Sequence, residues 1–184
     1  MSYKDNKHFK KYCNKHKDIN RVIRDLETFC TEESCEMEIF GSLTRNDYYY
    51  GKSDCDTVFI TDNVEYICAN FENYIQHNPR IKMKRKQLTQ YGFNIEHVKC
   101  SGIIYKMKIN NCKFDIMIVD RKDYQVYSDL ITPNINCINC FIVSIIKYFY
   151  YKIPIIPLSL YIYLKGLLFK RRLYIVKTVN LVVK

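Results

Sequence analysis

Three aspartates stand where acids are costly. Asp54 and Asp56 open the run "DCDTVFI", and Asp115 interrupts "KFDIMIV". Both runs are otherwise rich in apolar and β-forming residues. Side chains at i and i+2 of a strand share a face. Asp54, Asp56, Val58 and Ile60 therefore form one row, and Cys55, Thr57 and Phe59 the other. In the later run Phe114, Ile116 and Ile118 share a face, and Asp115 stands in the row of Met117 and Val119. Two carboxylates about 7 Å apart on a partly dry face repel unless a cation or water compensates. Carboxylate oxygens suit a hard cation such as magnesium. On a neighbouring strand, Asp115 would complete a cluster able to hold two divalent ions about 4 Å apart, as in-line phosphoryl chemistry uses. Each acid alone also fits plain structure, as an edge or turn residue or one reaching solvent. Their order along the chain strengthens the chemical reading, because Gly41-Ser42 closes the strand before the pair.

The elements that must position these residues are readable. Residues 1–17 are polar and basic and read as an arm or a first helix. From Asp18, the residues Ile19, Val22, Ile23, Leu26 and Phe29 recur at helical spacing. "CEMEIF" then alternates, with Cys35, Met37 and Ile39 on one face. A polar, Tyr-rich loop over 43–53 leads to the strand Asp54–Ile60. Asp62-Asn63 offers a cap or turn, and a helix carrying Tyr66, Ile67, Phe71, Tyr74 and Ile75 ends before Pro79. Three strands are expected over 93–100, 103–109 and 113–119, the last two joined by a hairpin at Asn110-Asn111. The run 138–169 is strongly apolar and aromatic. Lys147, Lys152, Pro154, Pro157 and Lys165 interrupt it, which argues for buried helices rather than a membrane span. The tail reads in part as a final strand.

The pattern "FGS" followed by "SDCD" resembles the nucleotidyltransferase superfamily with the DNA polymerase beta type of catalytic core. Poly(A) polymerases, tRNA nucleotidyltransferases, antibiotic nucleotidyltransferases and minimal nucleotidyltransferases belong to that group. The resemblance covers roughly residues 15–120 and rests on Phe40, Gly41 and Ser42, then Asp54 and Asp56, then Asp115. It implies that Asp54 and Asp56 ligate two magnesium ions, with manganese able to replace them. It implies that Asp115 ligates the ion that activates the acceptor hydroxyl. Gly41 and Ser42 would lie against the phosphates of a nucleoside triphosphate, with Arg45 and Ser53 matching further nucleotide-binding positions of smaller members. Glycine permits close backbone approach, and free N–H groups with a hydroxyl suit phosphate oxygens. Asn46 departs from the pattern, standing where minimal members carry Gly, and the spacer with its three tyrosines is slightly long. The C-terminal third matches no motif of the group.

The fold class expected is α+β, a mixed, antiparallel-rich nucleotidyltransferase-type sheet flanked by helices, with a helical apolar C-terminal region. Its divisions are a polar arm or helix over 1–17, a catalytic domain over 18–135, and a helical region with a basic tail over 136–184. The chain carries a net charge of +10 over 184 residues, which favours an anionic partner and, for an enzyme, a nucleic-acid acceptor. A Lys-, Ile-, Asn- and Tyr-rich composition also looks like AT-biased coding of a large virus or parasite, which alone would make the surface basic. The basic run Arg80, Lys82, Lys84, Arg85 and Lys86 is a candidate nucleic-acid contact or a solvated loop. Tyr48, Tyr49 and Tyr50 are candidates for stacking on a base, with loop packing as the plainer reading. Cys137 and Cys140 have half of a zinc-site spacing and no second pair; His8, Cys13 and His16 are weaker still. His77 and His97 lack a triad signature. Nine cysteines at irregular spacing, and an N-terminus without an apolar run, read as reduced, intracellular, cytoplasmic and not membrane-bound. The leading function is transfer of a nucleoside monophosphate to a hydroxyl, with pyrophosphate released. Alternatives are a catalytically degenerate module of that fold binding RNA or a protein, and a membrane-associated protein anchored by 138–169. Oligomeric state is not legible.

Overall fold

The computed structural model describes residues 2–45, 47–78, 89–95, 98–109, 111–131, 137–169 and 173–179. The basic run Arg80–Lys86, His97 and Asn46 lie outside the described residues.

A short 3-10 turn precedes α1 (Lys7–Lys15) and α2 (Lys17–Glu32). Residues 3–15 thus carry a 3-10 turn and a helix. Asn6 caps α1, its Oδ1 accepting from the amides of His8 and Phe9 at 2.9 and 3.1 Å. β1 (Glu36–Phe40) runs into a 3-10 turn, Gly41–Leu43, and β2 (Asp54–Thr61) follows. Asn63 caps α3 (Val64–His77) by accepting from the amide of Tyr66 at 3.0 Å. β3 (Thr89–Ile95), β4 (Val98–Ile109) and β5 (Cys112–Asp120) come next. The chain closes with α4 (Arg121–Ile131), α5 (Cys137–Tyr151), α6 (Leu158–Phe169) and β6 (Leu173–Val179).

The protein is α+β. Four strands in the order β1-β2-β5-β4 make the mixed sheet at its centre, and β3 and β6 extend it beyond β4. β2 and β5 are parallel; β1 with β2 and β4 with β5 are antiparallel. A parallel pair in the middle requires a crossover, and α3 begins that connection. On one face Cys55, Phe59, Phe114, Ile116 and Ile118 meet α2 and α3 in the main core. Phe29, Phe59 and Phe71 pack with ring centroids 5.3 to 5.9 Å apart, and burying each such ring is worth roughly 1.5–3 kcal/mol. On the other face Phe40, Val58, Ile60, Met117 and Val119 form a smaller core with Tyr124 of α4. The i, i+2 rows expected for both aspartate-bearing strands are therefore present, one row in each core.

Three expectations change. The run 93–100 is not one strand. Ile95 pairs with Val98, so the chain reverses inside it, and the strand expected over 103–109 is the end of the longer β4. Residues on both sides of that reversal favour β structure, and Asn94 is the single turn-favouring residue in the run. α4 is an addition to the expected elements, although Tyr124, Tyr127, Leu130 and Ile131 recur at helical spacing. The helices over 137–169 exist, but they are not buried. Of the large apolar side chains that stay exposed, all except Tyr50 and Tyr66 belong to residues 138–167. No helix among the described residues is long and apolar enough to cross a membrane.

Candidate functional site

A single row of residues crosses the central sheet. Phe40 of β1 pairs with Asp56 of β2, Asp56 with Asp115 of β5, and Asp115 with Lys106 of β4. Paired residues project to the same side, and adjacent strands lie about 4.8 Å apart. Asp56 and Asp115 are therefore side by side, with Asp54 two residues earlier on the same face. The adjacency of Asp115 to the pair, an inference from motif order alone at the sequence level, is a feature of the register.

Gly41 sits directly against this row. Its φ is +75°, and a Cβ placed there would fall 1.9 Å from Oδ2 of Asp56. The chain can turn over the carboxylate only without a side chain. Leu43, fully buried in the main core, anchors the turn. Ser42 is buried, and its hydroxyl donates to the carbonyl of Asp54 at 3.3 Å, tying the turn to the start of β2.

The electrostatics follow from this crowding. Burial pushes the Asp115 carboxyl up, Lys106 pulls it down from 3.1 Å, and Asp54 and Asp56 push it up again; the outcome is about 6. Lys106 is thus the cation that Asp115 has in this structure.

The spacer loop is held from an unexpected direction. Asp47 is buried and takes an ion pair from Arg45 at 3.1 Å and another from Lys147 at 2.8 Å. Lys147 comes from α5 and also donates to the Asp47 carbonyl at 2.9 Å. Burial pulls the Asp47 carboxyl up, but Lys147 and Arg45 outweigh it and hold it below the usual carboxylate range. Ser53 is buried, and its hydroxyl accepts from the amide of Tyr49 at 3.0 Å, closing the turn before β2. Arg45 is thereby engaged with Asp47, and Ser42 and Ser53 are engaged with backbone.

The tyrosines of the loop pack rather than stand free. Tyr48 is buried, with the Cys55 thiol 3.4 Å from its hydroxyl. Tyr49 lies 5.3 Å from Tyr151 of α5, and Tyr50 stacks on His16 at 4.2 Å and bonds to Asp18. Lys52 donates to the Tyr151 carbonyl at 2.5 Å. The sequence reading singles out neither Asp47 nor Lys106, and takes Lys147 only as an interruption of the apolar run. For Lys147 a signal existed: it is the one charge in the apolar stretch that becomes α5.

The donor set suits a hard divalent cation in kind. It offers carboxylates only, two in register and one on the same strand face, around a carboxyl raised first by burial and further by Asp54 and Asp56. Among the described residues, no three His, Cys, Asp or Glu side chains stand close enough together to hold a metal ion as arranged. A metal ion would compete with Lys106 for Asp115.

No protein-family model and no curated protein matches the chain.

The weaker candidates stay apart from the site. His16 is occupied with Tyr50, Cys13 is buried in the main core, and Cys140 is a half-buried thiol on α5.

Proposed function

We propose that the chain is a nucleotidyltransferase of the DNA polymerase beta type, moving a nucleoside monophosphate from a nucleoside triphosphate to a hydroxyl acceptor. The observation that carries the reading is the pairing of Asp56 with Asp115 across parallel strands, with Gly41 pressed against Asp56. The acceptor oxygen forms a bond to the α-phosphorus, the bond to pyrophosphate breaks, and the hydroxyl proton leaves. Asp54, Asp56 and Asp115 are the residues that would hold two magnesium ions, which when bound supply positive charge to the triphosphate and acidify the acceptor hydroxyl. Asp115 is the residue that would take the hydroxyl proton, directly or through a water. The turn Gly41–Leu43 offers backbone beside the carboxylates where phosphate oxygens need donors. The net charge of +10 favours a nucleic-acid acceptor.

The test is incubation with magnesium, each of the four labelled nucleoside triphosphates, and RNA. Label transfer that disappears in the Asp54→Ala, Asp56→Ala double variant is expected. Absence of transfer with all four, or transfer that survives the double variant, would overturn the reading. The Asp115–Lys106 ion pair favours a second reading, a module of this fold that binds nucleic acid without turnover. That protein would hold RNA equally well with and without the two aspartates and transfer nothing.

A further inference from the structure

Among the described residues, nothing covers the apolar side chains that α5 and α6 turn outward. On α5, Val143 and Lys147 point inward and are buried, while Phe141, Ile145 and Tyr148 share the opposite, exposed side. Ile155 in the connection and Ile162 and Tyr163 on α6 continue that exposure; Phe141 and Ile155 are 67% and 69% exposed. Large apolar side chains stay exposed at thirteen positions from Ile138 to Leu167, far denser than the singly scattered ones of an ordinary surface. α6 has no polar side to turn to water, since its residues are Leu, Ser, Tyr, Ile, Gly, Phe and the single Lys165. Both helices are too short to cross a bilayer.

Charge selects the occupant. None of the nineteen Asp and Glu residues lies after Asp129, whereas eight of the twenty-nine Lys and Arg residues do. A second copy would bring one all-positive region against another. A nucleic acid would satisfy the charge and leave isoleucine, leucine and phenylalanine side chains against a polar backbone. An anionic lipid surface satisfies both, taking the apolar side chains into its acyl boundary and the cations into its headgroup layer. Lys152, exposed between the helices, and Lys165, held 5.8 Å over the Tyr161 ring, are placed to reach that layer.

We propose that the α5–α6 face docks on the surface of a membrane rich in anionic lipid, without spanning it. The full chain is tested by flotation with vesicles of phosphatidylcholine alone and of phosphatidylcholine with a third phosphatidylserine. Binding to the mixed vesicles is expected to be at least about tenfold tighter than to neutral ones and to weaken as salt rises. Ile145→Glu and Ile162→Glu replace side chains already exposed, so each should preserve the circular dichroism of the fold. Each should also weaken vesicle binding at least about tenfold. Failure to float with either vesicle overturns the proposal. So does a stable dimer in light scattering that Ile145→Glu dissociates, because a second copy then covers the face. So does vesicle binding unchanged in both variants. Nucleotide transfer plays no part in these readouts, so the lipid proposal and the enzymatic one fail separately.

Discussion

Gly41 and Asp115 make the sharpest statements at the scale of single residues. Gly41→Ala asks a side chain to occupy φ +75° and places its Cβ 1.9 Å from Asp56 Oδ2. The backbone part alone costs about 1 kcal/mol, and the carboxylate must also move. Transfer activity is expected to fall at least about a hundredfold, because reacting groups displaced by an ångström lose rate on that scale. Gly51→Ala is the control. Its φ is +71°, but the nearest atom to an added Cβ is the Asn111 carbonyl at 3.4 Å. It should lower the melting temperature without the loss of transfer, and equal activity losses in the two variants would refute the role given to Gly41. Asp115 carries a pH signature. Its carboxyl titrates at about 6 in the fold against an ordinary 3.8. The folded protein therefore binds that proton more tightly than the unfolded chain, so the acid costs nothing below about pH 4. The cost grows between the two values and is complete above 6 at about 3 kcal/mol. Asp115→Asn, which stands in for the protonated form, should be more stable than the parent at pH 8. The gap should close as pH falls toward 4, as read by denaturant melts at several pH values.

At the scale of elements, α5 is fastened to the loop between β1 and β2 by one buried ion cluster. Lys147→Met removes the closer partner of Asp47 and leaves that carboxylate buried with Arg45 alone. Breaking such a pair costs about 3–5 kcal/mol, whereas replacing both members with neutral groups costs much less. The double variant Asp47→Asn, Lys147→Met is therefore expected to be more stable than Lys147→Met. Chemical denaturation of the four corners of that cycle gives the coupling, and additive losses would mean the pair is not coupled. The legibility of the elements divides along the same line. Local periodicity located α2, β1, β2, α3 and β5, and the i, i+2 rule sorted Asp56 from Cys55 and Asp115 from Phe114. What it could not carry was non-local. Only Asn94 hints at the reversal between Phe93 and Cys100, and Lys147 meets Asp47 across a hundred residues of chain. The same distance effect hid Lys106, whose relation to Asp115 exists only once β4 and β5 are in register.

For the whole molecule, the question is whether the two helical N-terminal elements, the sheet and α3 unfold as one. Cysteines are placed to answer it. Cys13 of α1, Cys30 of α2, Cys55 of β2, Cys68 of α3 and Cys112 of β5 are all free, buried and part of the main core. Burial pushes the Cys13 and Cys68 thiols up to about 11 and Cys112 up to about 12, so little thiolate is present at neutral pH even before access is considered. Cys140 lies outside that core, half-buried on α5. A thiol reagent added to the native protein, with each site followed by peptide mass, should modify Cys140 first. Of the six buried core thiols, these five, Cys35 before β1 set apart, should follow together, at least about a thousandfold more slowly than in denaturant, because each needs the same global opening. The register makes this cooperativity a physical expectation rather than a convenience. The strand that carries Cys55 is hydrogen-bonded to the one that carries Cys112, and α2 and α3 close over both. Cys13 is the discriminating site, since α1 meets the core at its rim, through Phe9, Cys13 and the Tyr12 ring against Tyr48. Labelling of Cys13 ahead of Cys55 and Cys112 would show that α1 opens alone, and it would return residues 1–17 to the behaviour of an arm.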